Sequence, residues 1–197
     1  MTMLRASSIV VLMCGCLLVC APARTGASQQ PAGSAGTDAL VEFNRRVQAY
    51  ASMHRMLERP AAAKPSTDPE ARRAASDALA MRVTLTRLDA RQGEFFTVEI
   101  SALFRQLIRK GCGGSYAELL ALVGSETVEA TTLPRVNERW APLTTRGAMS
   151  PNVLCELPAL PPELEYRFRG RHLVLRDVEA DLVVDVLPNA VRETTVP

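Results

Sequence analysis

The chain is poor in several residues that carry chemistry. It has two histidines, His54 and His172, in 197 residues. A Ser-His-Asp arrangement is therefore thinly supplied, and no G-x-S-x-G places a nucleophile. There is no H-E-x-x-H, C-x-x-C or EF-hand pattern, and no G-x-G-x-x-G follows a strand. No motif nominates a catalytic, cofactor-binding or metal-binding residue, and no cofactor is expected. Lysine is confined to Lys64 and Lys110, and arginine carries the remaining basic charge. Apart from residues 6–20, no long apolar run occurs, and that run is short of the roughly 20 residues a membrane span needs.

What is present begins with an export signature. Arg5 precedes the uncharged, mostly apolar residues 6–20, and small-residue sites follow at Ala21-Pro22-Ala23 and Thr25-Gly26-Ala27. This order predicts a signal peptide over 1–27 and a periplasmic or secreted mature chain with no membrane span. Cleavage is favoured over lipidation, because Cys14 and Met13 are poor residues before Cys16 and the bulky Val19 precedes Cys20. A cut after Ala27 would remove Arg5 and Arg24 from the 23 basic residues, leaving 21 to balance 21 acidic ones. A neutral domain offers no electrostatic footing for nucleic acid or anionic membrane.

The cut would also remove Cys14, Cys16 and Cys20, leaving Cys112 and Cys155 as a candidate disulfide in an oxidising compartment. Free, separated thiols are the alternative.

Residues 28–37, small and polar, read as a flexible leader to one globular domain over 38–190. Its helical region is 38–124. Asp38 is placed to cap a first helix, in which Leu40, Phe43, Val47, Tyr50, His54 and Leu57 recur at three-four spacing. Two prolines in 59–66 break it. Thr67 and Glu70 have capping-box spacing for a second helix. There Ala71, Ala74, Ala78, Met81, Leu85 and Leu88 would face the first helix in a hairpin. The third helix, capped by Thr97, carries the clearest stripe: Ile100, Leu103, Phe104, Leu107 and Ile108.

The glycine-rich stretch "RKGCGGSYAELL" then reads as a bend. Gly111 would be the left-handed residue that ends the third helix, and Ser115 with Glu118 would cap a fourth. It is not a P-loop, since no Lys-Ser or Lys-Thr follows and a helix precedes it. A reactive Cys112 at this loop is the alternative.

Residues 125–162 form a proline-rich wrap, with Trp140 as an anchor and a short helical turn starting at Ser150. Residues 163–190 alternate in period two: Leu164, Tyr166 and Phe168, then Leu173 and Leu175, then Leu182, Val184 and Val186. That predicts a three-stranded antiparallel meander. Its arginines, Arg167, Arg169, Arg171 and Arg176, are interleaved with acids and read as a solvated face. The fold class is therefore α+β, a helical hairpin and two further helices followed by a small sheet.

The segments "FNRRVQAYASMHRMLE", "GEFFTVEISALFRQLI" and "LPPELEYRFRGRHLVLRDVEADLVVDVLP" together resemble a family of uncharacterised exported bacterial proteins. The resemblance implies a small envelope protein and brings no activity with it. The C-terminal hairpin is also similar to those of small periplasmic proteins, some linked to metal homeostasis.

The leading functional expectation is a non-enzymatic binding or structural protein of the bacterial envelope. It would contact an unknown protein partner, or itself, through the helical hairpin or the sheet edge. The alternative is a small-molecule or metal-binding protein with its pocket around Tyr50 and His54, since His54 interrupts an otherwise apolar stripe. A hydrolase built on scattered carboxylates is a third reading.

Overall fold

The computed structural model describes residues 32–58, 67–113, 132–140 and 149–191. Four helices precede or flank a C-terminal sheet: α1 (Ala32–Glu58), α2 (Pro69–Thr86), α3 (Val98–Gly111), α4 (Pro151–Glu156), β1 (Leu164–Arg169), β2 (His172–Asp177) and β3 (Leu182–Leu187). The sheet is antiparallel in the order β1-β2-β3. This is the expected α+β class. No described helix is long and apolar enough to cross a membrane. The expected fourth helix after Ser115 lies outside the described residues.

α1 starts at Ala32, so Asp38 lies inside the helix and part of the expected leader is helical. Extending an existing helix costs far less than nucleating one, so the turn forms despite Gly33 and Gly36. The stripe behaves as its spacing predicts: Phe43, Val47, Tyr50, Ala51 and His54 are buried.

α2 differs. Asp68, not Thr67, is the cap, accepting from the Glu70 N–H at 3.0 Å. The buried residues are Leu79, Ala80 and Val83, while Met81, Leu85 and Leu88 are 66%, 61% and 71% exposed. Ala71, Ala74 and Ala78 are exposed as well. The helix is rotated from the expected face because its other contacts fix it. Arg82 Nε donates to the Leu57 carbonyl at the end of α1. Arg87, in the turn after α2, lays its guanidinium over the Tyr50 and Phe95 rings. Both residues extend the Leu79–Val83 side.

α3 is capped by Thr97 and buries Ile100, Ser101, Phe104 and Ile108. Its glycine has a different task from the one expected. Gly111 is the last helical residue, and a Cβ there would stand 2.7 Å from Val153 Cα and 2.9 Å from the Asn152 carbonyl oxygen. The missing side chain lets α4 cross α3 backbone to backbone. The left-handed residue is Gly113, at φ +56°.

That crossing also fixes the cysteines, which are free thiols. α4 turns Val153 toward α3. Cys155, two residues on, is about 200° around the helix and exposed. Cys112 Sγ donates back to the Ile108 carbonyl at 2.9 Å.

The sheet packs Leu164, Tyr166, Phe168, Leu173, Leu175, Leu182, Val184 and Leu187 into the main core beside the helices. An irregularity between Leu175 and Arg176 breaks the register with β3, where Leu175 faces Asp185 and Arg176 faces Val183. One extra residue there reverses the alternation. Val186, expected beside Val184, instead joins Val174 and Val183 on the outer face under Trp140. On that face Arg167 pairs with Glu165, Arg169 with Glu138, and Arg176 with Glu165 and Asp181. Each of these three pairs with a carboxylate, as the interleaved acids suggested, but the face is less solvated than expected: Arg169 is buried and its Nε has no partner.

The same bulge turns Asp185 toward the helices. Its fully buried carboxylate accepts from the N–H groups of Gly93 (2.8 Å), Phe95 (2.7 Å), Phe96 (2.9 Å) and Val186 (2.7 Å). It thus ties the turn before α3 to β3. Burial pushes its carboxyl up, and the four donors oppose that by favouring the ionised form.

Candidate functional site: a buried His-Asp-Tyr centre under two carboxylates

Tyr50 and His54 sit one helical turn apart on the buried face of α1. Both reach the same atom. Tyr50 Oη donates to Asp177 Oδ2 at 2.7 Å, and His54 Nδ1 bonds that oxygen at 2.7 Å. His54 and Asp177 are fully buried. The ionised carboxylate only accepts, so Nδ1 carries the proton.

Asp177 ends β2 and opens the turn to β3. Its second oxygen, Oδ1, accepts from the backbone N–H groups of Glu179 (3.1 Å) and Ala180 (2.7 Å). This Asx-type turn is a local habit of aspartate. One carboxylate therefore both shapes the turn and orients the imidazole.

The other ring nitrogen is left alone. His54 Nε2 is buried and has no hydrogen-bond partner. Glu179 Oε2 is 3.9 Å away, too far for a hydrogen bond. Glu58, four residues after His54 on α1, completes the group. One donor atom from each of His54, Glu58 and Glu179 lies within 4.8 Å of the others. Both glutamates are exposed, so the group is a buried nitrogen beneath two solvent-facing carboxylates.

The charges respond to this arrangement. Burial alone would lower the imidazole pKa. The hydrogen bond to Asp177 and its charge, with Glu179 and Glu58 behind them, outweigh burial and hold His54 above its ordinary value. Glu179 is pushed up by burial and then by the neighbouring Glu58 carboxylate. Burial first, and then Asp177, push the Tyr50 hydroxyl far above its usual range, so it remains a donor.

His54 lines none of three described recesses, of 490, 270 and 290 Å³. The three donor atoms, within 4.8 Å of one another, are spaced on the scale of a single ion.

Of the site residues expected from sequence, Tyr50 and His54 are brought together, and Cys112 and Cys155 stand apart from them. Asp177, Glu179 and Glu58 were not singled out. Glu58 had a usable signal, the His-x-x-x-Glu spacing that shares one helix face. Asp177 and Glu179 looked like ordinary turn acids. No protein-family model, curated protein or solved structure matches the chain.

Proposed function

We propose that the chain is an exported, non-enzymatic binding protein that takes a metal cation at His54, Glu58 and Glu179. The observation that carries this reading is the unpartnered His54 Nε2. An orphaned buried nitrogen costs about 1–3 kcal/mol, and a cation between it and two carboxylates would remove that cost and their repulsion together. Export is supported by the signal-like residues 1–27.

The test is metal content and isothermal titration of the purified, chelator-stripped chain. One equivalent of a divalent cation should bind, and Glu179→Gln should weaken it. A chain that takes up no divalent cation would refute the reading and assign Nε2 to a trapped water.

A second role, protein docking, is favoured by α2. Met81 and Leu85 on α2, and Leu88 in the turn after it, place three large apolar side chains in solvent.

A further inference from the structure

We infer that this centre selects a borderline transition metal of the zinc class over calcium or magnesium, and holds it exchangeably rather than as a staple of the fold. The inference rests on the cation reading and adds the identity of the ion and the openness of its coordination.

The donor set decides the ion. Calcium gathers six to eight oxygens and magnesium prefers an oxygen octahedron that keeps several waters. The two carboxylates would accept a hard ion, but the imidazole nitrogen suits zinc, copper, nickel or iron, and it is the nitrogen that discriminates. The nitrogen is also prepared for such an ion. Asp177 accepts the Nδ1–H hydrogen bond, as carboxylates do behind metal-bound histidines, and so holds the ring with Nε2 turned toward the site, where a cation would displace any proton it carries. Tyr50 and two backbone N–H groups hold that carboxylate in turn.

The geometry is short of closure by a small motion. Ligands of a tetrahedral zinc with bonds of about 2.0–2.1 Å stand roughly 3.3 Å apart. Here the Nε2–Glu179 distance is 3.9 Å and the widest separation is at most 4.8 Å. The movable parts are the two exposed glutamates, the Glu179 side chain being 58% exposed. His54 need not move.

Exchangeability follows from ligand count and from the core. Three protein ligands leave at least one position for water, as in open rather than structural zinc sites. None of the three donor residues anchors the core through the ion's position, and Asp177 accepts its four hydrogen bonds from Tyr50, His54, Glu179 and Ala180.

The experiment is competition titration of the purified chain with Zn²⁺, Co²⁺, Ca²⁺ and Mg²⁺, with Co²⁺ absorption as the coordination probe. Zinc and cobalt should bind one per chain, with millimolar calcium and magnesium failing to displace them. Glu179→Gln and Glu58→Gln should each lose at least about tenfold in zinc affinity while melting like the parent. Asp177→Asn, which acts through the imidazole, should lose about 10–100-fold and alter the cobalt spectrum. Chelation should leave the circular dichroism unchanged. Calcium binding as tightly as zinc would overturn the inference and leave the cation reading standing. Unfolding on chelation would overturn the exchangeable site. Binding of no cation, or zinc binding indifferent to both glutamine variants, would overturn both readings.

Discussion

Gly111→Ala separates two explanations of the glycine-rich stretch by the sign of its effect. Gly111 is helical and has no left-handed backbone angle, so helix propensity alone would make alanine about 1 kcal/mol better. The α3–α4 crossing opposes this. The new Cβ would meet Val153 Cα at 2.7 Å, the Asn152 carbonyl oxygen at 2.9 Å and Val153 N at 3.1 Å. These are backbone atoms and cannot rotate aside, so α4 must shift as a body. Overpacking of this kind costs about 1–3 kcal/mol, and it strains the Lys110–Glu156 ion pair that spans the two helices at 2.7 Å. The net expectation is a loss of up to about 2 kcal/mol, against a gain of about 1 kcal/mol from propensity alone. Urea unfolding with a constant m-value would measure it. Gly113→Ala is the comparison: nothing lies within 4 Å of its Cβ, but its φ of +56° should cost about 1–2 kcal/mol through backbone strain alone. A Gly111→Ala chain more stable than the parent by the full propensity gain of about 1 kcal/mol would refute the close-crossing account.

Two further outcomes follow from the buried acids and the imidazole. Asp185→Asn keeps one oxygen for two of the four backbone donors and turns an amide N–H₂ toward the other two. Two buried N–H groups at about 1–3 kcal/mol each give a loss of about 2–6 kcal/mol, and a urea unfolding free energy within about 1 kcal/mol of the parent would contradict it. In the metal-free chain His54 is raised above its ordinary value of about 6.5. Its stabilising contribution is therefore full below pH ~6.5 and fades as pH rises through the folded value. An NMR titration of the His54 ring should place its midpoint above 6.5, and a midpoint below that value would contradict the sign.

How much was legible in the sequence varied with how local the cause was. The β-meander, the α1 and α3 stripes and the Thr97 cap follow from periodicity and short-range hydrogen bonding, and the structure has them. The α2 face was misread because Met81, Leu85 and Leu88 repeat at helical spacing as convincingly as Leu79 and Val83. Tertiary contacts choose between them, among them Arg82 on the Leu57 carbonyl, Arg87 on Tyr50 and Arg139 on Asp77. The reversal at Val186 needs the bulge opposite Arg176, which no alternation pattern announces. In the site, His54 was visible as a polar break in an apolar stripe. Asp177 was not, because its turn-forming role gives sufficient local reason for an aspartate there.

The separation of the site's two halves has a temporal consequence. Asp177 is 127 residues from Tyr50 and 123 from His54. The centre therefore does not exist until the last strands have closed onto the first helix, a long-range step that tends to come late in folding. If the chain crosses a membrane unfolded, it cannot carry its ion across. Whatever occupies His54 must be gathered on the far side, so occupancy would report the metal supply of the destination and not that of the compartment of synthesis.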